Sequence, residues 1–268
     1  MDPVAATSRS LTRWGQRVRA GWSAWWQVVL LAAQILVLAV LPSSYRRGEQ
    51  RHAVLLNLYQ ATGPLLTWFL VLSALISVVL IRIVVATAYS YGLSQYALEV
   101  LVRTLVLELI PLYAALFVAL RYAMPSAQRV RRLLAEQQKQ GVEYADQVLL
   151  RTELLPRALS TVFSVLLLAA VSGVVALVLA YLTVYGFSPW GLPAYTRGVG
   201  SVFSPAVTLI FSLKTFFFSL AVAVVPLAAA GQRDADGRYG RRSDISEFAR
   251  LFSVLLLIEV LSLLGNYY

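Results

Sequence analysis

The chain has 268 residues, of which 59% are hydrophobic and only 13% are charged. Soluble domains carry about 25% charged residues, so this composition excludes an ordinary soluble protein and predicts an integral membrane protein. The absence of cysteine excludes disulfide bonds, thiolate metal sites and thiol catalysis.

The formal net charge is +10, with 23 Lys and Arg residues against 13 Asp and Glu residues. The basic residues cluster between apolar segments, which is typical of cytoplasmic loops that face anionic lipid. No module combines basic and aromatic residues as nucleic-acid-binding domains do, so nucleic acid is not expected as a partner. The first apolar run is too long for a signal peptide and lacks a small-residue cleavage site.

Residues 1–52 form the first predicted unit, a cytoplasmic N-terminus with an elbow helix. The uncharged stretch 20–45 is long enough to cross a bilayer, but arginines flank both of its ends. A spanning helix should have only one basic end. We therefore interpret about 13–42 as a helix that lies in, or dips into, the inner leaflet, with tryptophans at the lipid headgroups. A true span remains the alternative.

Residues 53–268 form the second predicted unit, an all-α domain with five transmembrane helices. Arg82 lies near the outer end of the first, where its long side chain can reach the membrane surface. Arginine-rich loops alternate with nearly uncharged ones, which predicts a cytoplasmic N-terminus and a C-terminus outside the cell. The expected spans are about 62–88, 98–121, 158–186, 203–229 and 247–267.

The longest polar stretch, about 122–157, separates the second and third spans. Pro125 is expected to stop the second span, and Ser126 to cap a separate helix of about 127–140 that Gly141 ends. A segment this charged cannot enter lipid, so it is either a solvated face or a docking surface. Its charged residues include Arg129, Arg131, Arg132, Glu136 and Glu143.

Charged residues inside the spans give the strongest indication of function. Glu108 lies in the second span and Lys214 in the fourth. A charge in hydrocarbon costs roughly 3 kcal/mol or more, so it usually has a partner. At about 1.5 Å per residue, Glu108 and Lys214 lie at similar depths, which predicts an ion pair. Two alternatives stay open: Glu259 of the fifth span as the main partner of Lys214, or no pair.

Pro111 follows Glu108 by three residues. Because proline has no N–H group, it cannot donate to the carbonyl of Leu107, which leaves a weak point in the helix beside the acid. A pair of charges at this depth can hold helices together, or it can line a cavity for an amphiphile. The sequence contains no catalytic constellation, metal-ligand cluster or phosphate-binding loop, so the chain is not expected to be an enzyme.

The stretch Glu108-Leu109-Ile110-Pro111-Leu112-Tyr113-Ala114-Ala115-Leu116, followed by Arg121, resembles the E-L-G-P…A-A-L…R signature of MlaE-type permeases. These are the membrane subunits of ABC systems that work on lipids with MCE-domain proteins. The likeness covers about residues 46–266 and includes the segments 55–59 and 212–218.

The resemblance implies a role for several of these residues. Glu108 and Lys214 match intramembrane charges near a lipid cavity at the centre of a homodimer. The segment of about 127–145 matches the coupling helix that docks on a separate ABC ATPase subunit, with Glu143 at an acidic position. ATP and magnesium are then bound by that partner, and this chain holds no cofactor.

The function that the resemblance implies is transport. A subunit of the bacterial inner membrane would move phospholipid, or a related hydrophobic molecule, between that membrane and a periplasmic MCE-type partner. The alternative from the residues alone is a non-transporting membrane scaffold, in which the buried charges only hold helices together.

Overall fold

The computed structural model describes residues 25–26, 28–39, 48–93, 96–141, 146–232, 239 and 244–267. Within these residues all regular structure is helical, which confirms the all-α prediction. The short helix Asp146–Leu149 leads into α4. The helices are α1 Val28–Ala39, α2 Gly48–Ser90, α3 Ala97–Lys139, α4 Leu150–Tyr185, α5 Leu192–Val202, α6 Pro205–Gly231 and α7 Asp244–Tyr267.

Helices α2, α3, α4, α6 and α7 are each long and apolar enough to cross a membrane, so the predicted set of five spans is confirmed. The described part of the predicted elbow helix is α1, a shorter apolar helix. Its residue Ile35 is buried in a cluster with Val130 of α3, Leu155 of α4 and Leu227 of α6. Helix α1 therefore covers one end of the bundle, which we call the α1 end.

Helix α4 occupies the centre of the bundle, where it packs against α2, α6 and α3. Small residues recur along its buried face, and small side chains let helix backbones approach closely in lipid. Thr62 of α2 and Ser164 of α4 also share a hydrogen bond of 2.8 Å between their hydroxyl oxygens. The small residues on this face include Ser160, Ser164, Ser172, Ala176 and Ala180.

Helix α3 corrects the prediction that Pro125 stops the second span, because it continues without a break to Lys139. A π-helical segment, Ala119–Ala123, precedes the proline, and the N–H of Met124 donates to the carbonyl of Ala119, five residues back. Such wide turns satisfy backbone groups that a proline leaves free. Ser126 is not a cap, since its hydroxyl donates to the carbonyl of Ala123 at 2.8 Å.

Helix α5 was not predicted, because it lies between the expected spans of about 158–186 and 203–229. Pro193 lies in its first turn, where a missing N–H costs little. Tyr195 donates a hydrogen bond of 2.7 Å from its hydroxyl to the carbonyl of Leu177 in α4. Gly198 packs so closely on Leu98 of α3 that a Cβ atom would lie 2.8 Å from Cδ2 of that leucine. Helix α5 thus closes the end of the bundle opposite α1, the α5 end.

Candidate functional site

Glu108, Lys214 and Glu259 come together inside the bundle, from α3, α6 and α7 respectively. The Nζ atom of Lys214 forms an ion pair with Oε2 of Glu108 and lies 2.9 Å from Oε2 of Glu259. The lysine side chain is only 2% exposed, whereas the two carboxylate side chains are 15% and 13% exposed. Both acids that the sequence left as rivals thus contact one ammonium. We call these three residues the charged triad.

The lysine ammonium has further contacts that hold it in place. Its Nζ atom donates to the backbone carbonyl of Leu107 at 3.3 Å and lies 5.8 Å from the ring centroid of Phe218. The contact with Glu259 is an ion pair by distance but is not aligned as a hydrogen bond. Of the three N–H donors of the ammonium, Glu108 and the carbonyl of Leu107 accept hydrogen bonds, and the carboxylate of Glu259 adds a charge contact. Lys214 is therefore fixed, and the carboxylates are the part of the triad that is reachable from outside.

A π-helical segment, Val102–Leu109, carries Glu108 and ends just before Pro111. The N–H of Ile110 donates to the carbonyl of Leu105, five residues back. Proline alone does not require this turn, because Pro64 in α2 and Pro226 in α6 lie inside helices without one. One extra residue in a turn changes the direction of the side chains before it by about 100° relative to those after it. The wide turn therefore sets the direction of Glu108.

An open apolar groove runs along α6 within one or two turns of Lys214. Its lining includes Phe203, Leu209, Ser212, Leu213 and Phe216. Leu209 and Leu213 are exposed, while Lys214 faces the bundle interior. Helix α6 thus presents an apolar face and a charged face at nearly the same depth.

The other predicted residues lie apart from the triad. Arg82 is exposed on α2. Arg129, Arg132 and Glu136 are exposed on the part of α3 at the α1 end, and Glu143 lies outside the described residues.

Arg131 differs from its basic neighbours because it is buried. Its Nη2 atom donates to the carbonyl of Ala229 in α6 at 2.5 Å and lies 2.7 Å from Oε1 of Glu247 in α7. Sequence reasoning missed Glu247, which follows a basic loop and so resembles an ordinary interfacial charge. The only available signal was its position at the start of the predicted fifth span.

Helix α3 makes two further polar contacts outside the charged triad. Near the α5 end, Glu99 and Arg103 form an i,i+4 ion pair at 3.2 Å, with side chains 46% and 38% exposed. Five residues after Glu108, the hydroxyl of Tyr113 shares a hydrogen bond of 2.7 Å with Ser73 of α2. The second contact joins α2 to α3 close to the triad.

Comparison with known proteins adds one finding. The family model of permease MlaE matches residues 54–240, which include Glu108 and Lys214 but not Glu259. No curated protein matches the chain. The family match covers well over half of the sequence and agrees with a multi-pass helical membrane protein. The chain therefore belongs to the MlaE permease family.

Proposed function

We propose that this permease is the membrane subunit of an ABC transporter that moves phospholipid, or a related hydrophobic molecule, between the bacterial inner membrane and a periplasmic MCE-type protein. The charged triad, buried among spanning helices beside an open apolar groove, is the observation that carries the proposal. An amphiphile needs both features, because its chains require apolar surface and its headgroup requires polar contacts.

The charged triad is suited to contact the headgroup of a lipid whose chains lie against the apolar groove. Lys214 is sealed within the bundle, whereas Glu108 and Glu259 are partly exposed. Carboxylates accept hydrogen bonds, so the triad offers acceptors to N–H or O–H groups of a headgroup. Lys214 then keeps two like charges close together at a depth where either alone would be costly.

The proposed partners are a separate ABC ATPase subunit, which binds ATP and magnesium, and a second copy of this chain. Exposed charges at the α1 end of α3, at Arg129, Arg132 and Glu136, support a docking surface for the ATPase subunit. The excess of basic residues at this end supports its placement in the cytoplasm, with the C-terminus in the periplasm. This chain itself is proposed to carry out no chemical reaction.

A non-transporting scaffold is the second candidate. The observation that favours it is the near-complete burial of Lys214 between two carboxylates, which is also the arrangement of a contact that only holds helices together. In that case an apolar replacement of equal volume would serve equally well, since buried ion pairs are often replaced without loss of stability.

The triple variant Glu108→Leu/Lys214→Met/Glu259→Leu, which leaves no member of the triad charged and unpaired, separates the two candidates. The wild-type and variant proteins are purified with any ATPase subunit that accompanies them, placed in vesicles and assayed for transfer of a fluorescent phospholipid. Transport predicts that the variant assembles but no longer transfers lipid. A wild-type protein that neither recruits an ATPase nor transfers lipid, or a triple variant that works normally, rejects the transport proposal.

A further inference from the structure

Arg131 joins the same three helices as the charged triad, but at the α1 end of the bundle. Its guanidinium belongs to α3, the carbonyl of Ala229 to α6 and the carboxylate of Glu247 to α7. The side chains of Arg131 and Glu247 remain only 11% and 6% exposed. We call this set of contacts the latch.

The latch and the charged triad therefore connect α3, α6 and α7 at two levels. Along α6, Lys214 and Ala229 are about 22 Å apart, and along α7, Glu247 and Glu259 are about 18 Å apart, at 1.5 Å per residue. Helices that are held at two levels cannot tilt independently. A displacement of α3 at the latch must therefore be transmitted to α6 and α7.

The chemistry of the latch indicates that it positions α3 relative to α6 and α7 rather than adding to the stability of the fold. Apolar residues of the same helices, Val130 and Leu134 of α3 and Leu227 of α6, are buried at this end of the bundle. The Nε atom of Arg131 has no hydrogen-bond partner in the described part of the chain. A buried ion pair with an unsatisfied donor is weak evidence for stability, because apolar residues of similar volume often serve as well or better. Oε1 of Glu247 is likewise not aligned as a hydrogen bond, so the link to α7 is a charge contact at 2.7 Å, whereas the link to α6 is a hydrogen bond. An apolar pair would supply neither link.

We propose that Arg131 and Glu247 are positioning residues, which fix the α1-end part of α3, Met124–Lys139, to the helices that carry Lys214 and Glu259. Exposed residues of the same segment form the proposed ATPase docking surface, so this inference rests on the proposed function. Movement of the segment on ATP binding would reach the charged triad through the latch. Without the latch, the ATPase would dock and hydrolyse ATP, but the triad would not respond.

The first experiment compares ATP hydrolysis with lipid transfer in the reconstituted complex. The variant Arg131→Met/Glu247→Leu keeps the apolar packing and leaves no buried charge unpaired. We expect it to assemble and hydrolyse ATP, while lipid transferred per ATP falls about fivefold or more, the lower end of typical coupling between sites. Arg131→Lys, which keeps the charge but not the planar fork, is expected to restore part of the ratio. A double variant with the wild-type ratio overturns the proposal.

The matched control is Glu99→Gln, which breaks an exposed ion pair on the same helix. Like the Glu247→Leu change it removes one carboxylate, but the ion pair that it breaks lies within α3, and we expect the transfer-to-hydrolysis ratio to stay at the wild-type value. A purely structural latch would lower the amount of assembled complex and both activities together. An equal fall in both activities, with the ratio unchanged, therefore also counts against a positioning role.

The second experiment needs neither ATPase nor transport, so it separates failure of the latch from failure of the proposed function. Because the chain has no cysteine, spin labels can be placed at Lys139→Cys on α3 and Ser253→Cys on α7, both exposed positions. In lipid nanodiscs the distance distribution between the labels should be narrow in the otherwise wild-type chain and clearly broader in Arg131→Met/Glu247→Leu. Identical distributions would show that the latch does not hold the segment.

Discussion

The ammonium of Lys214 in α6 donates to the backbone carbonyl of Leu107 in α3, at 3.3 Å. In a regular helix this carbonyl would accept from residue 111, but that residue is a proline and has no N–H to give. The proline therefore has a function beyond bending the helix, since it leaves an acceptor free beside Glu108. Lys214 is bound through both the backbone and the side chain of the same helix turn.

Restoring the missing donor is a direct test of this relationship. In Pro111→Ala, the new N–H competes for the carbonyl of Leu107, so we expect Lys214 to be held less firmly and lipid transfer to fall. Stability should change by only about 1 kcal/mol, the size of one hydrogen bond. The control is Pro64→Ala, which alters a proline inside α2. Equal transfer in the two variants would show that the free carbonyl is unimportant.

Removing the cation should cost more than removing one anion. Lys214→Met leaves Glu108 and Glu259 buried together without a counter-charge, and breaking a buried pair in this way costs about 3–5 kcal/mol. Glu259→Gln should cost less, because the contact of Lys214 with Glu108 and Leu107 remains. The midpoints of thermal unfolding in detergent, measured for both variants, check the order. The reverse order would mean that Lys214 is not the shared counter-charge of the two acids.

The hydrogen bond between Ser73 and Tyr113 offers a measurement of the contact between α2 and α3. Hydrogen bonds between membrane helices contribute on average about 0.6 kcal/mol and at most about 1.7 kcal/mol. A double-mutant cycle with Ser73→Ala and Tyr113→Phe should give a coupling free energy in that range, with lipid transfer unaffected by either change. A coupling free energy near zero would mean that the two hydroxyls do not bind each other in the membrane.

Two glycines of α5 form a matched pair for testing how this helix packs. In Gly198→Ala, the added methyl group would lie 2.8 Å from Cδ2 of Leu98, whereas a methyl group at Gly200 meets nothing within 4 Å. Because Cδ2 is the mobile end of a leucine side chain, Leu98 can shift, and we expect this shift to offset the helix-forming gain of alanine, so that Gly198→Ala unfolds at a lower temperature than Gly200→Ala. Gly200→Ala should raise the unfolding temperature slightly, because alanine favours a helix by roughly 0.5–1 kcal/mol. The same response at both positions would contradict the close approach of α5 to α3.

The five spans could be predicted because apolar length is a local property of the sequence. A polar contact for Glu108 and for Lys214 could also be expected, since a lone charge in hydrocarbon is costly. The choice between Glu108 and Glu259 could not be made, because residue counting estimates depth but not the rotation of a helix about its axis. In the structure both acids contact the lysine.

The features that the sequence did not predict all depend on contacts between residues far apart in the chain or on local adjustments of the backbone. A proline usually ends a helix, but α3 continues through Pro125, with a wide turn directly before it. The contact between Arg131 and Glu247 joins residues far apart in the chain, and neither residue differs in local sequence from an ordinary surface charge. Helix α5 depends on a close approach of Gly198 to Leu98 that no periodicity reveals.

The wide turn at Val102–Leu109 also makes the site sensitive to a one-residue deletion that leaves Glu108 and Lys214 in the chain. Such a turn holds one residue more than a regular one, so deleting a single residue there would convert it to an ordinary α-helical turn. The span would keep nearly all of its apolar length and would still insert in a membrane. Its two halves, however, would be rotated relative to each other about the helix axis. Glu108 would then point away from Lys214, although both residues were still present.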